Sequence, residues 1–289
     1  MPEFISKLQH KTYEKGEFSD EKVRSLDETI KLIKTFPWDA ERTLTDVQLT
    51  GPSVTIRDED INYLKVGLYF NGKYCLYYLD NDNHLYEYHA PDIEDACKVV
   101  TDFFNSSLDL QKFEKHLLNV GNQAHFVTNY FEYREKPWRI LMITSLLILY
   151  AGVTIFLDVT LSKVDGEYAI KIGAFILSAI YYYVVIKIFF AAVINRNNFL
   201  QLSRGNDVFS FGYFKNLIRT YNKNNIENIV IYRSGGYRNP NLICVYEIYF
   251  KDGTKIKFSN MLISDFSFAD KFPNNTITYG KRSPLKMLT

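Results

Sequence analysis

The stretch YLKVGLYFNGKYCLYYLDNDNHLYEYH, Tyr63 to His89, decides the fold of the N-terminal half of this 289-residue chain. Between residues 64 and 70, apolar side chains alternate with polar or small ones, the pattern of a half-buried β-strand. Asn71 and Gly72 follow, and this dipeptide is the strongest short signal for a two-residue hairpin turn. A second turn is predicted over 80–83. The stretch therefore predicts a meander of antiparallel strands.

Helical spacing of apolar residues appears on both sides of the meander. It covers 19–36, 93–104 and 110–120, and a segment of this kind predicts an amphipathic helix. A sheet with helices on one face is an α+β unit. We therefore predict an α+β domain over 19–124, preceded by an N-terminal tail at 1–18.

The most apolar part of the chain is residues 140–194, which predicts a transmembrane helical hairpin. The first predicted span, 140–157, carries no charge and has about the shortest length that crosses a bilayer. The second, at about 169–190, contains Lys187, which either marks the inner edge of the hydrocarbon or faces a partner or cavity. The preceding 125–139 is then a juxtamembrane segment.

Basic residues flank the predicted hairpin on one side. Its connecting loop holds one lysine, whereas the flanks hold Arg134, Lys136, Arg139, Arg196 and Arg204. Since cytoplasmic flanks are enriched in Lys and Arg, this pattern predicts a multi-pass protein of the bacterial inner membrane with both termini in the cytoplasm.

The C-terminal part is a succession of short strands with one late helix in DFSFADKF, which ends before Pro273. Many short strands with turn residues between them are typical of a small barrel or sandwich. We predict a mostly-β domain over 199–273 and a basic tail at 274–289.

Two parts of the chain resemble known families. The strands NIENIVIY and VYEIYFKDGTKIKFS, with the helix DFSFADKF, resemble the pleckstrin-homology-like (PH-like) domains of two-span, YcxB-like bacterial membrane proteins, over roughly 199–273. FPWDAERTLTDVQLTGPSVTI, with the meander, resembles the N-terminal region of immunity-type proteins encoded beside antibacterial toxins in Bacteroidota. These resemblances imply a membrane-anchored binding protein with one protein partner, and they carry over no catalytic motif.

Catalytic and metal motifs are absent from the sequence. The five histidines show no His-Glu-x-x-His spacing, and three widely separated cysteines form no zinc knuckle. Buried free thiols are the expectation for Cys75, Cys97 and Cys244. A net charge of +1 argues against a nucleic-acid partner. We therefore predict a non-enzyme with no cofactor and no metal site.

Aromatic residues make up 16% of the chain, and many tyrosines lie on the predicted strands. Such tyrosines usually complete a half-buried sheet, but an exposed set is suited to protein binding. If a binding face exists, its candidates are Trp38, Tyr69, Tyr74 and Tyr78.

A second set of candidates is basic. Lys255 and Lys257 share one face of a predicted strand, and with Lys281 and Arg282 they are suited to an anionic lipid surface. Ordinary solvated charge is the alternative.

The predicted function is that of an immunity protein that neutralises a cognate toxin by binding it. Two alternatives stay open. One is a membrane effector or sensor that reorganises by self-association, in which Lys187 would matter. The other is a scaffold subunit of an envelope complex.

Overall fold

The computed structural model describes residues 2–43, 49–117, 121–135, 137–161, 197–213, 217–233 and 244–281, and one to three residues at a time between 172 and 189. The chain divides into two compact units. The N-terminal unit comprises Met1–Tyr130 with Ser203–Gly205, and the C-terminal unit comprises Phe131–Leu202 with Asn206–Thr289.

The N-terminal unit is built on a seven-stranded antiparallel sheet in the order β2-β1-β3-β4-β5-β6-β7. Its elements are β1 (Phe4–Gln9), β2 (Ser19–Arg24), α1 (Leu26–Thr35), α2 (Trp38–Glu41), β3 (Ser53–Arg57), β4 (Tyr63–Leu68), β5 (Tyr74–Leu79), β6 (Leu85–Ala90), α3 (Ile93–Phe104) and β7 (Glu114–Lys115).

The predicted hairpin between β4 and β5 is confirmed. Asn71 and Gly72 have φ values of 57° and 77°, the left-handed region that a two-residue turn of this kind requires. The Lys73 amide donates to the Phe70 carbonyl at 3.2 Å and closes the turn, and the Tyr69 amide donates to the Lys73 carbonyl at 2.9 Å. The meander of β3 to β6 follows with regular antiparallel register.

Both faces of this sheet are covered. On one face Leu64, Val66 and Leu76 pack with α1 and α3 in an apolar core. The other face carries polar groups, and one row of directly paired residues crosses six strands. This transverse row consists of Lys7, Thr55, Lys65, Tyr77, Glu87 and Glu114.

Several N-terminal predictions need correction. Residues 1–18, expected to be a tail, include β1, and the predicted helix at 19–36 begins with the strand β2. Ser25 accepts from the Glu28 amide in a capping box, so the helix starts only at α1. The predicted helix at 110–120 is a short 3-10 turn followed by β7, and residues 118–120 lie outside the described residues.

The C-terminal unit contains two four-stranded sheets, ordered β11-β10-β9-β8 and β14-β13-β12-β15. Its elements are β8 (Glu132–Arg134), α4 (Pro137–Leu161), β9 (Phe199–Gln201), β10 (Val208–Gly212), β11 (Arg219–Asn222), β12 (Ile226–Arg233), β13 (Cys244–Phe250), β14 (Lys255–Ser259), α5 (Asp265–Asp270) and β15 (Ile277–Lys281).

One apolar core joins the two sheets of the C-terminal unit. Phe209 and Phe211 from the first sheet and Ile248 from the second belong to the same buried cluster. Helix α5 contributes Phe268, which stacks on Tyr246 with ring centroids 4.1 Å apart. The late helix predicted from the sequence is therefore part of the core.

The predicted α+β fold with a transmembrane hairpin is wrong. The described chain is mostly β-sheet. Helix α4 runs through the first predicted span, 140–157, with Leu141 and Ile148 exposed, but no helix within the described ranges combines the length and hydropathy needed to cross a membrane. An apolar run by itself does not distinguish a span from another helix.

The predicted multi-pass localisation in the inner membrane depended on that hairpin and is contradicted by the same finding. Most of the second predicted span, 169–190, and the loop before it lie outside the described residues.

Candidate functional site

Three of the four predicted binding aromatics pack into the apolar core of the N-terminal unit. Trp38 is 7% exposed, and its Nε1 donates to the Ile33 carbonyl at 2.7 Å. Tyr74 packs edge-on against Trp38 at 5.3 Å, and Tyr78 packs against Phe103. These contacts hold α1 and α3 on the sheet.

Tyr69 is on the opposite side of the sheet from these three residues. Its ring is half-buried and stacks on His89 with centroids 4.2 Å apart. The four aromatics therefore do not form one binding surface.

A lysine in the transverse row, Lys65, is buried at the centre of the polar face of the N-terminal sheet. Its side chain is 1% exposed, and Nζ donates to Gln9 Oε1 (2.7 Å), to the Leu49 carbonyl (2.8 Å) and to the His125 carbonyl (3.1 Å). Burial, with a smaller contribution from the charge of Lys7, lowers the pKa of Lys65 to about 7.

Lys7 is the second buried lysine of the row. Its Nζ donates to Thr128 Oγ1 at 2.8 Å and lies 4.2 Å from the ring centroid of Phe18. Burial lowers the pKa of Lys7 to about 8, although Glu21 opposes that shift. Burial also lowers the pKa of His125, to about 4.

The hydrogen-bond acceptors of Lys65 and Lys7 indicate a structural role for both side chains. Lys65 links the carbonyls of two loop residues, Leu49 and His125, to the centre of the sheet, and Lys7 links Thr128 to β1. A buried ammonium is tolerated when its donors are satisfied. Their role is to fasten loops over the polar face.

The predicted lipid-binding lysines lie in the C-terminal unit, and one of them has an acidic partner. Lys255 Nζ is 3.7 Å from Glu247 Oε2, and that carboxylate also accepts a short hydrogen bond from the Tyr249 hydroxyl. Lys257 is half-buried and lies directly opposite Glu247 in the β13–β14 register. The buried carboxylate offsets positive charge at this surface.

The remaining predicted basic candidates cannot be placed. Lys187 and Arg282 lie outside the described residues, as does the side chain of Lys281, whose backbone belongs to β15.

A different group of residues lies at the end of β12. The guanidinium of Arg233 is 4.4 Å from the ring centroid of Tyr279, and its Nη2 is 3.7 Å from Asp265 Oδ2. Asp265 is itself fixed, because it accepts from the Tyr246 hydroxyl and from Cys244 Sγ (3.1 Å). The arginine is thus positioned by α5 and β15 together.

Two large aromatic side chains of α5 and β15, the elements that position this arginine, are exposed. Phe266, in the first turn of α5, is 92% exposed, and Tyr279 is 54% exposed. Within the described part of the chain, the buried Nε of Arg233 has no hydrogen-bond partner. We call Arg233, Phe266 and Tyr279 the Arg233 surface.

Sequence reasoning missed this surface because its members come from three separate elements. In the sequence, Arg233 is simply the last residue of a predicted strand. The helix pattern of DFSFADKF does not reveal which of its phenylalanines is buried. Phe268 is fully buried and Phe266 is not. The unequal burial of two phenylalanines two residues apart on this short helix is visible in the structure and has no counterpart in the sequence pattern.

Comparison with known proteins identifies one part of the chain. A family model described as PH domain matches residues 132–271, which includes β8, ahead of the predicted start at 199. No curated protein and no solved structure matches the chain. Domains of this type bind lipids or proteins. The predicted resemblance to a PH-like domain is confirmed, and a PH-like domain is found at residues 132–271.

Proposed function

We propose that the chain is a non-catalytic binding protein whose PH-like domain binds a protein partner through the Arg233 surface. The observation that carries the proposal is the exposure of Phe266, at 92%, next in the chain to Asp265, whose carboxylate orients Arg233. Arginine and aromatic residues are enriched at the centres of protein interfaces.

Charge distribution favours a protein over an anionic lipid surface. Lys255 is near the buried carboxylate of Glu247, and Arg233 is near Asp265. A lipid surface is attracted by uncompensated basic clusters. Carboxylates beside both cations reduce that attraction.

The experiment is photocrosslinking in the producing cells, with benzoylphenylalanine in place of Phe266. A control chain carries the same probe at Asp252, an exposed position in the β13–β14 turn. We expect a discrete protein adduct from position 266 that is missing from position 252 and is lost on Arg233→Ala. Equal adducts at both positions would refute the proposal.

Flotation with phosphatidylserine vesicles tests the lipid alternative. We expect no vesicle binding by the full chain. Binding that is lost in a Lys255→Ala, Lys257→Ala variant and kept in Arg233→Ala would overturn the proposal in favour of lipid.

A finer version of the proposal is neutralisation of a cognate toxin. It is supported only by the resemblance of residues 36–56 and 63–88 to immunity-type proteins. The crosslinked partner should then be toxic when expressed alone and harmless when this chain is co-expressed. A harmless partner would exclude the immunity role without affecting the Arg233 surface.

A further inference from the structure

Four side chains with metal-ligating atoms meet on the polar face of the N-terminal sheet. Cys75 on β5 is directly opposite His89 on β6. Glu87 precedes His89 by two residues and therefore lies on the same face. His116 follows β7, where its amide donates to the Leu85 carbonyl at 2.9 Å. The pairing of three neighbouring strands thus brings these groups together.

The polar atoms of these residues converge on one carboxylate. Nε2 of His89 is 2.7 Å from Glu87 Oε1, and Nε2 of His116 is 2.7 Å from Glu87 Oε2. Cys75 Sγ is 3.3 Å from Glu87 Oε1. The ligand atoms of Cys75, Glu87 and His89 all lie within 4.8 Å of one another.

We propose that Cys75, Glu87, His89 and His116 form a binding site for a divalent transition-metal ion, with Zn²⁺ as the best match. A thiolate, imidazole nitrogens and a carboxylate oxygen are the ligands that Zn²⁺ takes in proteins. Mg²⁺ and Ca²⁺ fit this set less well, because both ions take oxygen ligands and three of the four residues here offer sulfur or nitrogen.

For three of the four residues, the distances require a small local adjustment. Zn–N bonds of about 2.0 Å and Zn–S bonds of about 2.3 Å place neighbouring donors of a tetrahedral site roughly 3.3–3.6 Å apart. The separations of up to 4.8 Å among Cys75, Glu87 and His89 therefore have to shorten by a little over 1 Å, and His116, which lies outside that group, has to move toward it. The two histidines have room for this movement, because both side chains are more than a third exposed.

The surroundings suit a metal site in two further respects. Cys75 is fully buried and Glu87 largely so, whereas the two imidazoles are open to solvent, which provides an entry path. The ring of Tyr69 stacks on His89 and supports one face of the imidazole. Groups that orient metal-binding histidines strengthen binding.

The separation of these residues along the chain explains why no metal motif was recognised in the sequence. Metal motifs are recognised when ligands lie a few residues apart, as in zinc fingers. Here Cys75, Glu87 and His116 are separated by 12 and 29 residues, and only the strand register brings them together.

The test is Co²⁺ binding by the full chain after chelator treatment, followed by absorption spectroscopy. We expect equimolar uptake with a sulfur-to-cobalt charge-transfer band, and displacement of Co²⁺ by Zn²⁺. His89→Gln and His116→Gln should each weaken binding by roughly tenfold or more, and Cys75→Ser should abolish the charge-transfer band. Matched controls are His84→Gln, a comparably exposed histidine, and Cys97→Ser, another buried thiol.

The two histidine variants keep the proposal falsifiable even if Cys75→Ser does not fold, because they change partly exposed side chains. No Co²⁺ uptake by the folded wild-type chain would overturn the proposal. So would uptake that is unchanged in both histidine variants. The result does not depend on the Arg233 surface, so this proposal and the proposed function can fail separately.

Discussion

The buried ammonium of Lys65 should make the N-terminal unit more stable as pH rises from neutral. In the fold the pKa of Lys65 is lowered to about 7, from 10.5 in its ordinary state. Between these two values the unfolded chain binds more protons than the folded chain. The free energy of unfolding therefore increases with pH in that window. The destabilisation is fully present below pH 7 and is relieved as the pH approaches 10.5.

The expected change follows from the two pKa values. For a single group that titrates at about 7 when folded and at 10.5 when unfolded, the free energy of unfolding rises by about 2 kcal/mol between pH 7 and 9. Lys7, whose pKa is lowered to about 8, adds about 1 kcal/mol over the same range. Lys65→Met should remove the larger part of this rise.

The absolute stability of Lys65→Met is less informative than its pH dependence. Methionine removes the buried charge but leaves Gln9 Oε1 and the carbonyls of Leu49 and His125 without this donor. An orphaned buried acceptor costs about 1–3 kcal/mol, which opposes the gain from removing the charge. Only the slope against pH isolates the titration.

The assay is urea unfolding at several pH values between 6.5 and 9, followed by tryptophan fluorescence. The chain has two tryptophans, so a Trp138→Phe background leaves Trp38 as a reporter of the N-terminal unit. Lys98→Met, which changes an exposed lysine of α3, is the matched control. Equal pH slopes in wild type and Lys65→Met would refute the reasoning, whereas a reduced slope with Lys98→Met unchanged would support it.

Three further substitutions test packing and capping, each by its urea midpoint. Trp38→Ala should lower the free energy of unfolding by about 3–5 kcal/mol, since it leaves a cavity and removes the hydrogen bond to the Ile33 carbonyl; an unchanged midpoint would contradict the core position. Gly212→Ala should lower the free energy of unfolding by about 1–3 kcal/mol or more, because the new Cβ would lie 2.8 Å from the Leu217 carbonyl oxygen. A variant as stable as wild type would show that the backbone at Leu217 moves to make room. Ser25→Ala should cost about 1 kcal/mol through loss of the α1 cap, whereas no loss would mean that the cap contributes little.

Sequence patterns predicted the parts of the fold that local chemistry controls. The Asn71-Gly72 turn needs two left-handed residues, and the strands of the C-terminal unit alternate clearly, so both were predictable. The strand β2 was not, because Val23 and Leu26 have helical spacing and nothing local shows that Ser25 separates a strand from a helix. Residues 19–24 form a strand because they pair with β1, and this pairing is a tertiary contact.

The candidate sites were harder to predict, for a related reason. Alternation along β4 assigns Lys65 to a face that is assumed to meet solvent. In the structure that face is covered, and Phe18 and Phe126 lie near the ammonium. The hydropathy of a residue does not show which other parts of the chain pack over it. A buried lysine with a lowered pKa therefore has the same sequence pattern around it as an exposed lysine.

The proposed location of the binding surface rests on which surfaces the fold leaves open. Both faces of the central strand β4 are buried, so the tyrosine-rich sheet offers little surface to a partner at its centre. At one edge, β2 exposes Asp20 and Lys22, and charged edge strands discourage pairing with another chain. In the PH-like domain, by contrast, Phe266 remains exposed although Phe268 beside it is fully buried. Packing in the N-terminal core therefore accounts for Trp38, Tyr74 and Tyr78, but core packing does not account for Phe266, and its exposure is the observation behind the proposed partner.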